Sequence, residues 1–312
     1  MNSRTITPFH NGVGNFVLLT PALQAMASLD PSGKIDICAD TAWSDYRKRE
    51  MFDLWEKLPF IGRVVGSSEL ESMQDQYDTW FYTGWSYVND STMEIFFRHK
   101  RFEMPDWNTT LEHESEYYIN FARKFYGYSG PSPKQIIIPA DNPTIEKQGK
   151  KIITLCNGGF GYLKFFKDWP YYPELAKEIK AFIPDSITVK IGHGNELSDT
   201  SADIDYVNKL TLSQTAKVIQ QSDVIIATDT GNMHIADALE TPLIVIWGGS
   251  SLVKNKPVQG PNKIIHLDLP CQKISGTIWN CDYMECFEKK CMDNVTVGEV
   301  MYHIRSFLNG NT

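Results

Sequence analysis

The sequence predicts an α/β protein of two domains, each built on a parallel, doubly wound sheet. Three observations carry this. Short apolar runs such as Lys151–Cys156 and residues 224–227 have the pattern of strands buried on both faces. These runs alternate with segments of helical period, which argues for parallel strand–helix–strand units. Strand, glycine loop and helix also follow one another at the start of each half, on either side of a polar stretch, PADNPTIEKQG (139–149). The expected domains are 1–145 and 150–295, with a ligand cleft between their facing sheets. A terminal helix over 296–312 is expected to pack back toward the first domain.

In the first half, Thr5–Phe9 opens as a strand and His10-Asn11-Gly12-Val13-Gly14-Asn15 is the loop after it. Val17, Leu18, Ala22, Ala25, Met26 and Leu29 then keep close to helical spacing. Pro21 is placed near the first turn of that helix, where its missing N–H costs little. Residues 34–39 read as a strand, 44–57 as a helix, 63–65 and 79–82 as short strands, and 111–126 as a longer helix. Residues 135–138 close the half. The second half restarts with Lys151–Cys156 and a glycine-rich loop, 157–163, before a helix over 173–182 and a strand over 186–191. Leu212–Gln221 is a helix, 263–267 a last strand, and Val297–Leu308 a terminal helix.

Composition bounds the function. The 312-residue chain is 42% hydrophobic and 22% charged, as an ordinary globular protein is. A formal net charge of −8 argues against extended nucleic-acid binding, which needs a basic face. No run approaches the roughly 18–20 apolar residues of a membrane span, so at most peripheral membrane contact is expected. The opening residues lack an apolar signal core, and a cytoplasmic location is the expectation. Cys38 and Cys156 lie in apolar runs and read as core. Cys271, Cys281, Cys286 and Cys291 crowd together with nine, four and four residues between them. They are candidates for a structural metal or redox staple, although the spacing lacks paired Cys-x-x-Cys knuckles; plain thiols are the other reading.

The richest segment is 224–251, VIIATDTGNMHIADALETPLIVIWGGSS. It is an apolar strand, a Thr-Asp-Thr-Gly turn, a helix with Ile235, Ala238 and Leu239 on its apolar face, and a second strand. Gly231 is expected to let the backbone turn tightly. Such a turn aims free N–H groups and a helix dipole outward from the carboxyl end of a strand, a ready anion site. The plainer reading is one more strand–helix connection.

Asp229-Thr230-Gly231-Asn232-Met233-His234, followed by Ala236, Leu239, Thr241-Pro242 and Gly-Gly-Ser-Ser, resembles the signature of glycosyltransferase family 9. That family contains the ADP-heptose:lipopolysaccharide heptosyltransferases. Gly12-Val13-Gly14-Asn15 with Leu18-Leu19-Thr20-Pro21-Ala22-Leu23 is similar to its amino-terminal loop and helix. Lys167-Asp168-Trp169-Pro170, Ile191-Gly192-His193-Gly194-Asn195-Glu196, Leu210-Thr211-Leu212 and Cys286 with Cys291-Met292 resemble further elements, in the family's order. The resemblance implies a GT-B fold: two Rossmann-like domains, parallel sheets facing a central cleft, and the donor held mainly by the second.

It also implies roles. Thr230 and Gly231 would hold the pyrophosphate of a nucleotide-diphospho-sugar, ADP-linked by the family's pattern, and Lys167 would supply positive charge to the leaving group. Glu196 would take the ribose hydroxyls and Leu210 would pack on the base, although composition alone reads Leu210 as core. Asp229 would face the sugar hydroxyls, and His234 would brace the turn or touch ligand. No cofactor and no catalytic metal are required in this scheme. The acceptor hydroxyl needs a general base from the first domain. The family's loop aspartate is Asn15 here, and an amide accepts no proton at neutral pH. Three readings stay open: His10 serves as base; Asn15 positions the acceptor while a carboxylate such as Asp40 acts; or the chain binds donor without transferring it. The aromatic run 77–87 and the run Phe96-Phe97-Arg98-His99-Lys100-Arg101-Phe102 are candidates for acceptor binding, against the alternative of core and solvated face.

The function expected is inverting, metal-independent transfer of a sugar, heptose from ADP-heptose, to a glycan or lipid-linked saccharide acceptor. The alternatives are transfer of another sugar to a protein or modified nucleobase, and a non-catalytic nucleotide-sugar binding module. The cysteine segment leans toward a protein acceptor, because some protein heptosyltransferases related to the family carry a cysteine-bound iron.

Overall fold

The computed structural model describes residues 4–9, 12–39, 51–83, 90–99, 111–157, 166–194, 197–271, 286 and 288–310. Contacts divide the chain into two units, Met1–Ile138 and Pro139–Thr312.

In the first unit the elements are β1 (Thr5–Phe9), α1 (Val13–Leu29), β2 (Ile35–Ala39), β3 (Ile61–Gly66), α2 (Ser67–Met73), β4 (Thr79–Trp80), α3 (Asp90–His99) and α4 (Glu114–Tyr126). The strands form a parallel sheet in the order β3-β2-β1-β4. The chain leaves β1 to one side for β2 and β3, then returns to its other side for β4. A topological switch point therefore lies at the carboxyl end of β1. Every residue of β1 and β2 is buried, as their largely apolar character requires. Of the helix expected over 44–57, residues 51–55 are helical; its first turns lie outside the described residues.

Pro21 corrects one expectation. It sits in the middle of α1, because the helix already starts at Val13. A mid-helix proline cannot donate to the carbonyl four residues back, here Val17. The Thr20 hydroxyl takes that place, donating to the Val17 carbonyl at 2.7 Å. Thr20 Oγ1 in turn accepts from Ile136 N–H at 3.1 Å. The segment 135–138 thus closes the unit tied to α1, outside the sheet. α4 packs on α1. It is started by His113, whose Nδ1 accepts from Ser115 N–H, and stopped by Gly127 in the left-handed region at φ 78°.

In the second unit the elements are β5 (Lys151–Cys156), α5 (Tyr172–Phe182), β6 (Ser186–Lys190), β7 (Ile204–Asp205), α6 (Leu212–Gln221), β8 (Val224–Thr228), α7 (Gly231–Ala238), β9 (Leu243–Trp247), α8 (Leu252–Asn255), β10 (Asn262–His266), α9 (Lys290–Asp293) and α10 (Val297–Leu308). All six strands are parallel, in the order β10-β9-β8-β5-β6-β7. Here the switch point falls between β5 and β8. Val297, Val300, Met301 and Ile304 of α10 are buried in the core of this unit with Leu175, Ile179, Ile226 and Ile246. These residues of α10 are covered within the second unit. No helix among the described residues is long and apolar enough to cross a membrane.

Candidate active site

The carboxyl ends of three adjacent strands in the second unit converge on one carboxylate. Asp229 follows β8, is 4% exposed, and lies at the switch point. Lys167, on the connection after β5, places Nζ 2.8 Å from Asp229 Oδ2. Ser250, beyond β9, donates its hydroxyl to the same oxygen. Burial by itself pulls the Asp229 carboxyl upward. Lys167, His234 and the hydrogen bonds from Lys167 and Ser250 outweigh it, and Asp229 titrates below the usual carboxylate range. Ser250 is the site residue that the sequence reading misses. Its signal lies in the Gly-Gly-Ser-Ser after β9, to which no role is attached there.

The connection that bears Lys167 is pinned on several sides. Trp169 N–H donates to Asn157 Oδ1 and Asn157 Nδ2 donates to the Trp169 carbonyl, both at 3.2 Å. The Trp169 indole N–H reaches the Val295 carbonyl at 3.0 Å, and Lys289 Nζ the Asp168 carbonyl at 3.1 Å. Gly248 permits the close approach: a Cβ there would lie 2.7 Å from the Phe166 carbonyl oxygen. A cation is thereby fixed over the switch point.

Thr230 caps α7 in extended conformation without a side-chain cap bond. Among the described residues its buried Oγ1 has no hydrogen-bond partner, and neither has that of Thr228. Gly231 is the first residue of α7 and is not among the positive-φ glycines, so the turn there does not use the left-handed region. His234 is buried one turn into α7 and contributes to lowering the Asp229 pKa. Leu210 is half-buried just before Thr211, the N-cap of α6, and lies outside the core.

Glu196 lies outside the described residues, but both flanks are held. Gly192 (φ 139°) and Gly194 (φ 106°) make the turn after β6, and Asn208 pairs both ways with the Gly194 backbone at 2.8 Å. Beyond it, buried Lys190 donates to the Leu197 and Thr200 carbonyls and pairs with Asp205, each at 3.1 Å.

In the first unit, His10 and Asp40 lie outside the described residues. Asn15 is in the first turn of α1, with Nδ2 2.8 Å from Glu114 Oε1. Of the aromatic run, Tyr77, Trp80 and Phe81 are core, as is Phe96; residues 84–87 and 100–102 lie outside the described residues. His99 stacks on Trp80, with ring centroids 4.3 Å apart and 4° between planes. Cys271 and Cys286 are free thiols, Cys291 packs half-buried against the core of the second unit, and Cys281 lies outside the described residues. No group of three or more His, Cys, Asp or Glu that could hold a metal occurs among the described residues. Cys271 and Cys286 both lie near enough to Lys290 to raise its pKa, after the larger effect of Glu288.

With a doubly wound parallel sheet in each unit, the chain is an α/β protein of the GT-B class. Solved structures share this fold. The ADP-heptose lipopolysaccharide heptosyltransferase II of Escherichia coli superposes with a TM-score of 0.72 at 16% identity, covering 98% of this chain and 99% of that one. The dodecameric iron-containing heptosyltransferase TibC of enterotoxigenic E. coli, solved with ADP-D-beta-D-heptose, gives a TM-score of 0.68 at 14% identity, over 100% of this chain and 78% of that one. By sequence, a lipooligosaccharide heptosyltransferase 2 of Campylobacter jejuni is 28% identical over 164 residues, 48% of this chain and 47% of that protein. The chain spans about half the length of the curated relatives it matches. The model of glycosyltransferase family 9 (heptosyltransferase) matches residues 79–277. The chain belongs to glycosyltransferase family 9.

Proposed function

We propose that this chain is an inverting glycosyltransferase that moves heptose from ADP-heptose to a saccharide acceptor, a glycan or lipid-linked saccharide, in the cytoplasm and without a catalytic metal. The observation that carries the reading is the fixed Lys167–Asp229 pair beside the start of α7, at the switch point of the second sheet. In sugar transfer the bond from the anomeric carbon to the diphosphate breaks, and negative charge grows on the departing oxygen. The Lys167 ammonium, the Thr230 hydroxyl and the N–H groups at the α7 N-terminus would meet that charge. Asp229 and Ser250 hold the lysine side chain in place, so little reorganisation is needed when the donor arrives.

Two further roles follow the family resemblance. Glu196 takes the ribose hydroxyls and Leu210 packs on the base. The acceptor oxygen attacks the face opposite the diphosphate, forming the new glycosidic bond, and its proton passes to a base for which His10 is the candidate. The similar proteins support the donor: one is an ADP-heptose heptosyltransferase by name and another was solved with ADP-heptose. The latter is iron-containing, so metal analysis of protein purified without nickel affinity belongs beside the activity test.

A thermal-shift screen of ADP-, UDP-, GDP- and CDP-sugars tests the donor, since binding to the folded state raises stability by mass action. ADP-heptose should give the largest shift, and a transfer assay should release ADP in step with acceptor glycosylation. A larger shift with another nucleotide sugar would overturn the donor assignment. A shift with ADP-heptose but no turnover on any acceptor would favour the binding module.

A further inference from the structure

Asn15 does not stand alone at the first switch point. Its Nδ2 donates to Glu114 Oε1 at 2.8 Å, and the Tyr118 hydroxyl donates to the same oxygen at 2.7 Å. Glu114 is 1% exposed, in the first turn of α4, where the helix dipole favours a negative charge. Burial and the Glu114 charge push the Tyr118 phenol well above its ordinary value, so it stays a donor. With a carboxylate as partner, the Asn15 amide has one permitted orientation. The reverse would set two acceptor oxygens against each other. Asn15 Oδ1 therefore turns the other way, beside exposed Gly12: a Cβ on Gly12 would lie 3.7 Å from it. That oxygen accepts no hydrogen bond from the described residues and is not among the buried unpaired atoms.

We propose that Glu114 is a positioning residue of the acceptor subsite, pinning the Asn15 amide so that its carbonyl oxygen receives the hydroxyl of the incoming acceptor. This rests on the transferase reading above. Asn15 and Glu114 are then one device. An aspartate at position 15 would face the Glu114 carboxylate at hydrogen-bond distance, where double ionisation is disfavoured and the pair would share one proton. The subsite fits a neutral alcohol, a sugar or hydroxyl side chain, and disfavours an anionic nucleophile.

The test uses the full chain and the variants Glu114→Gln, Asn15→Asp and Asn15→Asp/Glu114→Gln. Glu114→Gln lets the Asn15 amide turn over, and acceptor KM should rise about tenfold, one hydrogen bond's worth, with the ADP thermal shift unchanged. Asn15→Asp should cut transfer and add a pH step from the shared proton. In the double variant the amide introduced at position 114 can donate to the carboxylate introduced at position 15. That should remove the pH step and recover acceptor KM. An unchanged acceptor KM in Glu114→Gln, or a double variant no better than Asn15→Asp, overturns the proposal. Asparagine-selective NMR reads the pair without turnover: the Asn15 side-chain amide should move in Glu114→Gln, and an unmoved resonance also overturns it. Failure of the wild type to transfer to any acceptor, with the Asn15 resonance shifting as expected, would instead count against the transferase reading.

Discussion

Lys167 and Asp229 lie 62 residues apart in the chain, yet Nζ and Oδ2 are 2.8 Å apart over the β5–β8 switch point. The lysine side chain keeps 19% of its exposure and the aspartate 5%. The pair is thus a nearly buried anion holding a cation that still reaches solvent. Lys167→Met should lower donor turnover about 10²–10³-fold, the usual effect of deleting one group that meets transition-state charge. Because Asp229 is left buried without its counter-charge, stability should also fall by about 2–3 kcal/mol, the lower end for a broken buried pair given the partial exposure. Transfer kinetics and urea unfolding read the two effects separately.

Asp229 also sets a pH dependence. Its folded pKa is below its unfolded value, so its contribution is complete above the unfolded value and is lost as pH falls through the folded one. Stability should hold from neutrality down to about pH 5 and decline below about pH 4. Asp229→Asn should flatten that acid limb, as judged by urea midpoints at successive pH values. Parallel loss in variant and wild type would assign the limb to other carboxylates.

Trp169 ties the Lys167 connection to Asn157, just beyond β5, and to the chain near Val295. Trp169→Phe keeps much of the ring's bulk and removes one buried hydrogen bond, so stability should drop by about 1–2 kcal/mol. Affinity for ADP should fall as well, because the lysine is no longer held in one place. Calorimetric titration with ADP measures this; an unchanged affinity would mean that Asn157 suffices as anchor.

Asp237 is 1% exposed and accepts from the backbone N–H groups of Val258, Gln259 and Gly260, each at 2.8 Å. It shapes the connection into β10. Asp237→Ala leaves three donors without this acceptor and should cost about 3 kcal/mol or more. Hydrogen exchange should speed up first at those three amides.

Thr20 supports Pro21 by donating to the Val17 carbonyl and accepting from Ile136 N–H. Thr20→Val is nearly isosteric and should destabilise by about 2 kcal/mol, while Thr20→Ser should recover most of it. Thermal unfolding of the two variants decides whether the hydroxyl or the packing matters.

The strands are legible because a strand covered on both faces must be largely apolar, as in residues 152–156 and Val224–Thr228. The start of α1 is not. Its N-cap, Gly12, makes no side-chain bond and its first turn has no acidic residue, so the usual start signals are missing and Pro21 reads as a first-turn residue. Residues 135–138 are rich in isoleucine, yet their backbone is tied to a helix by Thr20, a partner more than a hundred positions away.

By itself the sequence determined the alternation of strand and helix and the Asp229-Thr230-Gly231 turn, and its resemblance to the family singled out Lys167 and the departure at Asn15. These depend on local periodicity and short motifs, which a chain carries along its length. Only the tertiary structure decided which charges meet. Strand order brings β5, β8 and β9 side by side and sets Lys167 and Ser250 on one carboxylate. The packing of α1 on α4 sets Asn15 on Glu114, 99 residues away. Hydrogen bonds act over about 3 Å, and distance in the chain carries no information about that separation until the sheet order is fixed.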